Sequence, residues 1–200
     1  MIFDRYSTLA GRGEARLKIQ RSQFIGIAFP TRSPEDFFEA IEALTGTWFD
    51  ASHLCWAYRI LQGTEARSRS SDAGEPSGSA GKPILSAIES ADLHETAVVV
   101  VRYYGGVKLG TGGLSRAYRS AAQDALRTAL KVNRYLYQRI DVDVPFEAMN
   151  LVYRLISSPD ILLVREEFGE SNRFSIDVRL SMVEALLARL RAANLRFTVV

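Results

Sequence analysis

The sequence predicts an α+β protein built as two domains. Strand-like and helix-like segments alternate through the first 134 residues, and after residue 137 the rhythm changes to strand, helix, strand, strand, helix, strand. That second order is the βαββαβ pattern of a complete ferredoxin-like sandwich. A chain of 200 residues, 47% hydrophobic and 24% charged, has the composition of a globular protein and room for one large domain or two small ones.

The elements follow in order. Residues 14–21 alternate polar and apolar side chains and residues 24–29 are mostly apolar, so both read as short strands. Ser33-Pro34-Glu35-Asp36 is a helix start. Ser33 caps, Pro34 fits the first turn and the acids suit the positive end of the dipole. Phe37, Phe38, Ile41 and Leu44 then fall at helical spacing as far as Gly46. Residues 53–61 form a third strand. Gly63 to Lys82 contains no apolar side chain larger than Ala, so burial cannot offset its ordering entropy, and residues 63–80 are expected to be mobile or poorly packed unless a ligand is present. A short helix over 83–91, a buried strand over 97–104 and a long helix from about Gly113 to Lys131 complete the first domain, 1–134. The second, 138–200, takes strands over 137–145, 161–168, 173–180 and 195–200, helices over 146–157 and 181–193, and a turn at 169–172.

Charge is unevenly placed. The chain carries a formal charge of +2, yet residues 102–134 alone hold seven basic side chains against Asp124. Within the long helix, Arg116, Arg119, Gln123, Arg127 and Lys131 share one stripe at 100° per residue, with alanines, Tyr118 and Leu126 opposite. Such a stripe is either a solvated face or a footprint for a polyanion. The loop before it favours the anion, because five of the 14 glycines fall between Gly105 and Gly113. Glycines expose backbone N–H groups, and a helix N-terminus behind them attracts phosphate. The anion-binding candidates are therefore Arg102, Gly105, Gly106, Lys108, Gly110, Gly112, Gly113, Arg116, Arg119 and Arg127. Neither nucleotide fingerprint is met. Thr111 stands where a phosphate loop needs lysine, and Ser115 where a dinucleotide turn needs its last glycine.

Catalytic candidates are few. Asp72 and Glu75 pair two acids in one loop, and His53 and Cys55 lie two apart on one strand face. A solvated loop and a buried structural cysteine account for the same residues. A single cysteine and two histidines permit no disulfide within the chain and no cysteine-built zinc site, and leave little metal chemistry except through carboxylates, where Asp72 and Glu75 could hold Mg²⁺; the expectation is no metal and no cofactor. The strongest aliphatic run, Ala97–Val101, is far too short to span a bilayer, and the first residues lack the apolar core of a signal peptide. The cytosol is the expected compartment.

The motifs His53-Leu54-Cys55-Trp56-Ala57-Tyr58, Ser71-Asp72 to Gly81, Gly81-Lys82-Pro83, Val99–Gly110 and Gly112–Tyr118 together resemble the signature of the IMPACT family over about residues 20–130. Ala73 departs from it, standing where the family usually has a second aspartate. The resemblance implies an amino-terminal domain like the second domain of ribosomal protein S5, a β/α sandwich also used by elongation factor G and small-molecule kinases. It also implies a ferredoxin-like carboxy-terminal domain. The family's eukaryotic members regulate translation initiation under stress. The expectation is thus a cytosolic RNA- or ribosome-associated protein without its own chemistry, linked to regulation of translation, with RNA or the ribosome and a translation-related protein as the expected partners. An enzyme acting on a phosphorylated or nucleotide ligand and a pure protein-interaction module are the alternatives.

Overall fold

The computed structural model describes residues 4–169 and 172–200. Contacts divide it into two units, Tyr6–Arg134 and Tyr135–Val200, the second also taking the chain start through Arg5.

In the first unit the elements are β1 (Arg5–Leu9), β2 (Gly13–Ile19), β3 (Ser22–Pro30), α1 (Pro34–Thr47), β4 (His53–Gln62), β5 (Glu65–Ser71), α2 (Gly81–Ser90), β6 (Thr96–Tyr103), α3 (Gly110–Thr128) and β7 (Lys131–Tyr135). Strands β2-β3-β6-β4-β5 form one sheet in that order, and its registered pairs are antiparallel. Period-two alternation sorts its faces. Phe24, Ala28, Cys55, Ala57, Val98 and Val100 pack with α2 and α3, while Ile25, Ile27, Tyr58, Val99 and Val101 pack with Phe37 and Leu44 of α1. The small residues of α3 bring its backbone against the sheet. A methyl group placed on Gly26 would lie 2.2 Å from the Ala121 carbonyl oxygen. Ser33 caps α1 as its sequence demands, its hydroxyl accepting from the Asp36 amide at 3.0 Å.

Three differences from the sequence reading stand out. Residues 63–82 are not a loose segment. Glu65–Ser71 pairs with β4 from Gln62↔Glu65 to Trp56↔Ser71, and a hydrogen-bonded turn leads from it into α2. A sheet edge needs no apolar face, since the neighbouring strand supplies the ladder. Strands β1 and β7, which pair in a separate two-stranded sheet, carry too short a pattern to be read. Helix α3 starts three residues before Gly113, so the glycines form its first turn.

The second unit contains β8 (Tyr137–Val144), α4 (Met149–Ile156), β9 (Ile161–Glu167), β10 (Asn172–Arg179), α5 (Val183–Ala192) and β11 (Arg196–Val199). Its strand order, β11-β8-β10-β9, with all registered pairs antiparallel, is ferredoxin-like. Ile140, Val142, Val144, Phe174, Ile176 and Val178 alternate inward against Val152, Leu155, Leu186, Leu187 and Leu190. Of the turn expected at 169–172, Glu170 and Ser171 lie outside the described residues. Asp4 belongs to this unit and not to the first. Arg179 donates to its carboxylate at 2.6 Å, and the Leu136 amide donates to its carbonyl at 2.8 Å.

Candidate functional site

The glycine loop leaves β6 and enters α3, and its glycines do different things. Gly105 packs on the β2–β3 turn. A Cβ there would sit 2.1 Å from the Arg21 carbonyl carbon, and its amide donates to Ser22 Oγ at 3.1 Å. Gly106 and Gly110 have φ of +82° and +69°, a region open to glycine at no steric cost. Gly112 and Gly113 lie in the first turn of α3, which has neither a side-chain cap nor an acidic residue. Lys108, Arg116, Arg119 and Arg127 are exposed around and behind that turn. Arg119 donates to Ser90 Oγ at 3.1 Å, and Arg127 pairs with Asp124, the one acid of the stretch.

Arg102 does not join this surface. It is 4% exposed, ion-paired with Glu75, and its guanidinium lies 5.4 and 5.3 Å from the Phe24 and Tyr104 ring centres. Burial explains the departure, since a charge removed from water needs a partner. Glu75 Oε1 also accepts from the Tyr118 hydroxyl at 2.7 Å, and His53 Nε2 stands 4.0 Å from it. Tyr118, read from sequence only as a packing residue, thus carries a buried hydrogen bond, which its helical spacing gave no means to foresee.

Asp72 organises the turn between β5 and α2. Its carboxylate accepts from the amides of Gly78 at 2.7 Å, Ala80 at 2.9 Å and Gly81 at 2.8 Å. Burial works to raise its pKa, but the three amides and nearby Lys82 outweigh it and hold the group below the ordinary carboxylate range. Cys55 donates to the Asp72 carbonyl at 2.9 Å, and burial pushes its thiol up to about 12. His53 Nδ1 lies 2.9 Å from the Ala73 carbonyl. Ala73 itself sits at φ +43°, where aspartate is better tolerated than alanine. All four catalytic candidates therefore meet Arg102 and Tyr118 in one knot. Its chemistry is that of a lock: the thiol is protonated at neutral pH, and both carboxylates are held by donors.

A second positive patch went unread. Arg16, Lys18 and Arg21, with Gln23, Tyr103 and Tyr104, line a cleft of about 370 Å³ at the β2 edge of the sheet. Among the described residues no group of three or more His, Cys, Asp and Glu is placed to hold a metal, and no helix is long and apolar enough to cross a membrane.

Residues 20–126 match the Impact N-terminal domain. The chain belongs to the IMPACT family. An IMPACT family member of Haemophilus influenzae is 34% identical over 177 residues, which are 86% of this chain and 84% of that one. Another from Thermus thermophilus is 39% identical over 158 residues, covering 79% and 84%. A crystal structure of a hypothetical protein superposes on this IMPACT-family chain with a TM-score of 0.75 at 25% identity, covering 100% of this chain and 98% of that one. The two-domain translational regulator Yih1 aligns with 62% of the chain and 47% of its own at a TM-score of 0.37, too loose a superposition to carry an argument.

Proposed function

We propose that this IMPACT-family protein is a cytosolic RNA- or ribosome-associated protein linked to regulation of translation, and that it holds phosphates on the glycine loop and the outer face of α3. One observation carries the reading. Lys108 and Arg116 are exposed at a helix start that offers glycine amides and no carboxylate in its first turn, and Arg119 and Arg127 continue the exposed stripe along the helix to its last turn. Helix dipole, free amides and cations all favour an anion at one place. Contacts of this kind give affinity and orientation without reading bases. The link to translation rests on the family resemblance. Arg102 has no part in the surface, because Glu75 neutralises it.

The test is a titration of labelled RNA at several salt concentrations. Arg116→Ala, Arg119→Ala and Arg127→Ala should each weaken binding across sequences. Each should also flatten the slope of log K against log salt by about 0.7 on single strands and about 0.9 on duplex. Arg189→Ala, an equal charge change in the second unit, should matter little. Absence of wild-type binding at low salt, or an equal loss in the Arg189 variant, overturns the reading. A saturable small phosphorylated ligand that binds at the loop without RNA affinity would favour the enzyme alternative.

A further inference from the structure

The cleft at the β2 edge has a composition unlike the α3 surface. Alternation along β2 sends Ala15, Leu17 and Ile19 into the core shared with α3, so Arg16 and Lys18 stand on the opposite face of the sheet. Register then lines up Lys18 with Gln23, and Gln23 with Tyr103, across three strands. Gln20 and Arg21 close the β2–β3 hairpin with φ of +43° and +67°, the two-residue turn that normally takes Asn-Gly. A bulky cation therefore occupies a turn position that local conformation would give to glycine. None of the cleft's lining residues is acidic. Among the described residues, the one carboxylate paired with these cations is Glu14, in an exposed pair with Arg16 at 3.3 Å.

Aromatic rings supply the other half. Tyr104 is 47% exposed, and one side of it is occupied by the Arg102 guanidinium, which the buried pair with Glu75 holds still. Its amide donates to Ser52 Oγ at 3.0 Å, so the backbone beneath the ring is fixed as well. Tyr103 is anchored through its hydroxyl to Asp50 at 2.6 Å. A pinned, half-exposed ring beside three cations is the arrangement on which a nucleobase stacks while its phosphates are neutralised. The cleft's volume of about 370 Å³ lies at the small end of ligand-binding sites, suited to one nucleotide unit.

We infer that this cleft binds single-stranded RNA, with a base stacked on Tyr104 and the adjoining phosphates on Arg16, Lys18 and Arg21. The inference takes its partner from the RNA reading proposed for α3, but its cations are a separate set, at the β2 edge of the sheet and the β2–β3 hairpin. Gly105 packs on the Arg21–Ser22 backbone, and so seats the glycine loop against the hairpin that carries the cleft. A duplex keeps its bases stacked inside and cannot use the ring, so the cleft discriminates strandedness where the α3 surface does not.

The experiment compares a labelled single strand of about eight nucleotides, an RNA duplex and a free mononucleotide by fluorescence anisotropy. Tyr104→Ala should weaken the single strand about tenfold and leave the duplex unchanged, while Tyr104→Phe should bind as wild type. Lys18→Ala and Arg21→Asn, the latter suited to positive φ, should each flatten the single-strand salt slope by about 0.7. Unchanged urea midpoints would show that the variants fold. If Tyr104→Ala and the charge variants bind the single strand as wild type while Arg119→Ala does not, the cleft inference falls and the α3 reading stands. If the α3 variants bind as wild type while the cleft variants lose the strand, the cleft inference stands and the α3 surface falls. Wild-type protein that binds neither strand at low salt overturns both. A mononucleotide bound as tightly as the oligonucleotide, and lost with Tyr104→Ala, overturns the RNA assignment in favour of a free nucleotide.

Discussion

Glu75→Gln is the sharpest perturbation of the buried knot. The side chains of Glu75 and Arg102 are 4% and 5% exposed, and one carboxylate oxygen takes both the guanidinium and the Tyr118 hydroxyl. Glutamine nearly preserves the shape but removes the charge. Arg102 is then left cationic and buried, with no hydrogen-bond partner for its Nε among the described residues. Breaking one side of a buried pair costs about 3–5 kcal/mol, a large share of the roughly 5–15 kcal/mol that holds a domain together. Replacing both partners leaves no buried charge, so Glu75→Gln/Arg102→Met should be less destabilised than the sum of the single variants by at least about 1 kcal/mol. Urea unfolding followed by tryptophan fluorescence isolates the effect, because the chain has two tryptophans and both, Trp48 and Trp56, lie in the unit Tyr6–Arg134. A loss below about 1 kcal/mol for Glu75→Gln, or strict additivity in the double variant, would refute the claim that this pair locks the fold.

Three further outcomes follow from the same geometry. The folded-state pKa of Asp72 is depressed, so its stabilisation is present above the unfolded value of about 3.9 and is lost as pH falls through the lower folded value; urea midpoints of the wild type should drop on that acid limb, and Asp72→Asn should start lower at neutral pH and lose less. Cys55, its thiol pushed up to about 12, should resist a thiol reagent at pH 8 in the folded protein and react at once in denaturant. Gly105→Ala forces backbone atoms apart and should cost about 1–3 kcal/mol, whereas Gly112→Ala meets only Arg116 at 3.6 Å and should gain up to about 1 kcal/mol of helix stability. Urea titration of both variants checks the contrast.

What the sequence made legible was whatever carried an apolar period. Strands β3, β4 and β6, helices α1 and α3 and the whole βαββαβ order declare themselves through side chains that must be buried, and the Ser33 cap through local chemistry. Strand β5 did not, because EARSRSS at a sheet edge borrows its ladder from β4 and buries almost nothing. The site was read less well for a different reason. Glu75 and Arg102 are 27 residues apart, so a count of local charge assigned Arg102 to a surface that it does not share. The same count hid the β2 cleft. Residues 1–101 come out slightly acidic because Glu35, Asp36, Glu39 and Glu42 on α1 cancel Arg16, Lys18 and Arg21 in the sum, although the fold puts them on different elements.

The residues that carry the family resemblance therefore divide by physical role. His53, Cys55, Asp72, Glu75, Arg102 and Tyr118 turn inward and hold each other, while Lys108, Arg116 and the half-exposed Tyr104 face solvent. The inner set governs the outer one. Arg102 closes the end of β6 and backs the Tyr104 ring, and Glu75 ties that strand end to the turn that Asp72 holds before α2. A variant of Glu75 that lost RNA affinity would thus not mark Glu75 as a ligand contact, because release of Arg102 frees the Tyr104 ring and the loop beyond it. Glu75→Gln/Arg102→Met removes the stranded charge but also the guanidinium behind the Tyr104 ring, so a double variant that regained stability without regaining RNA affinity would place the effect in positioning.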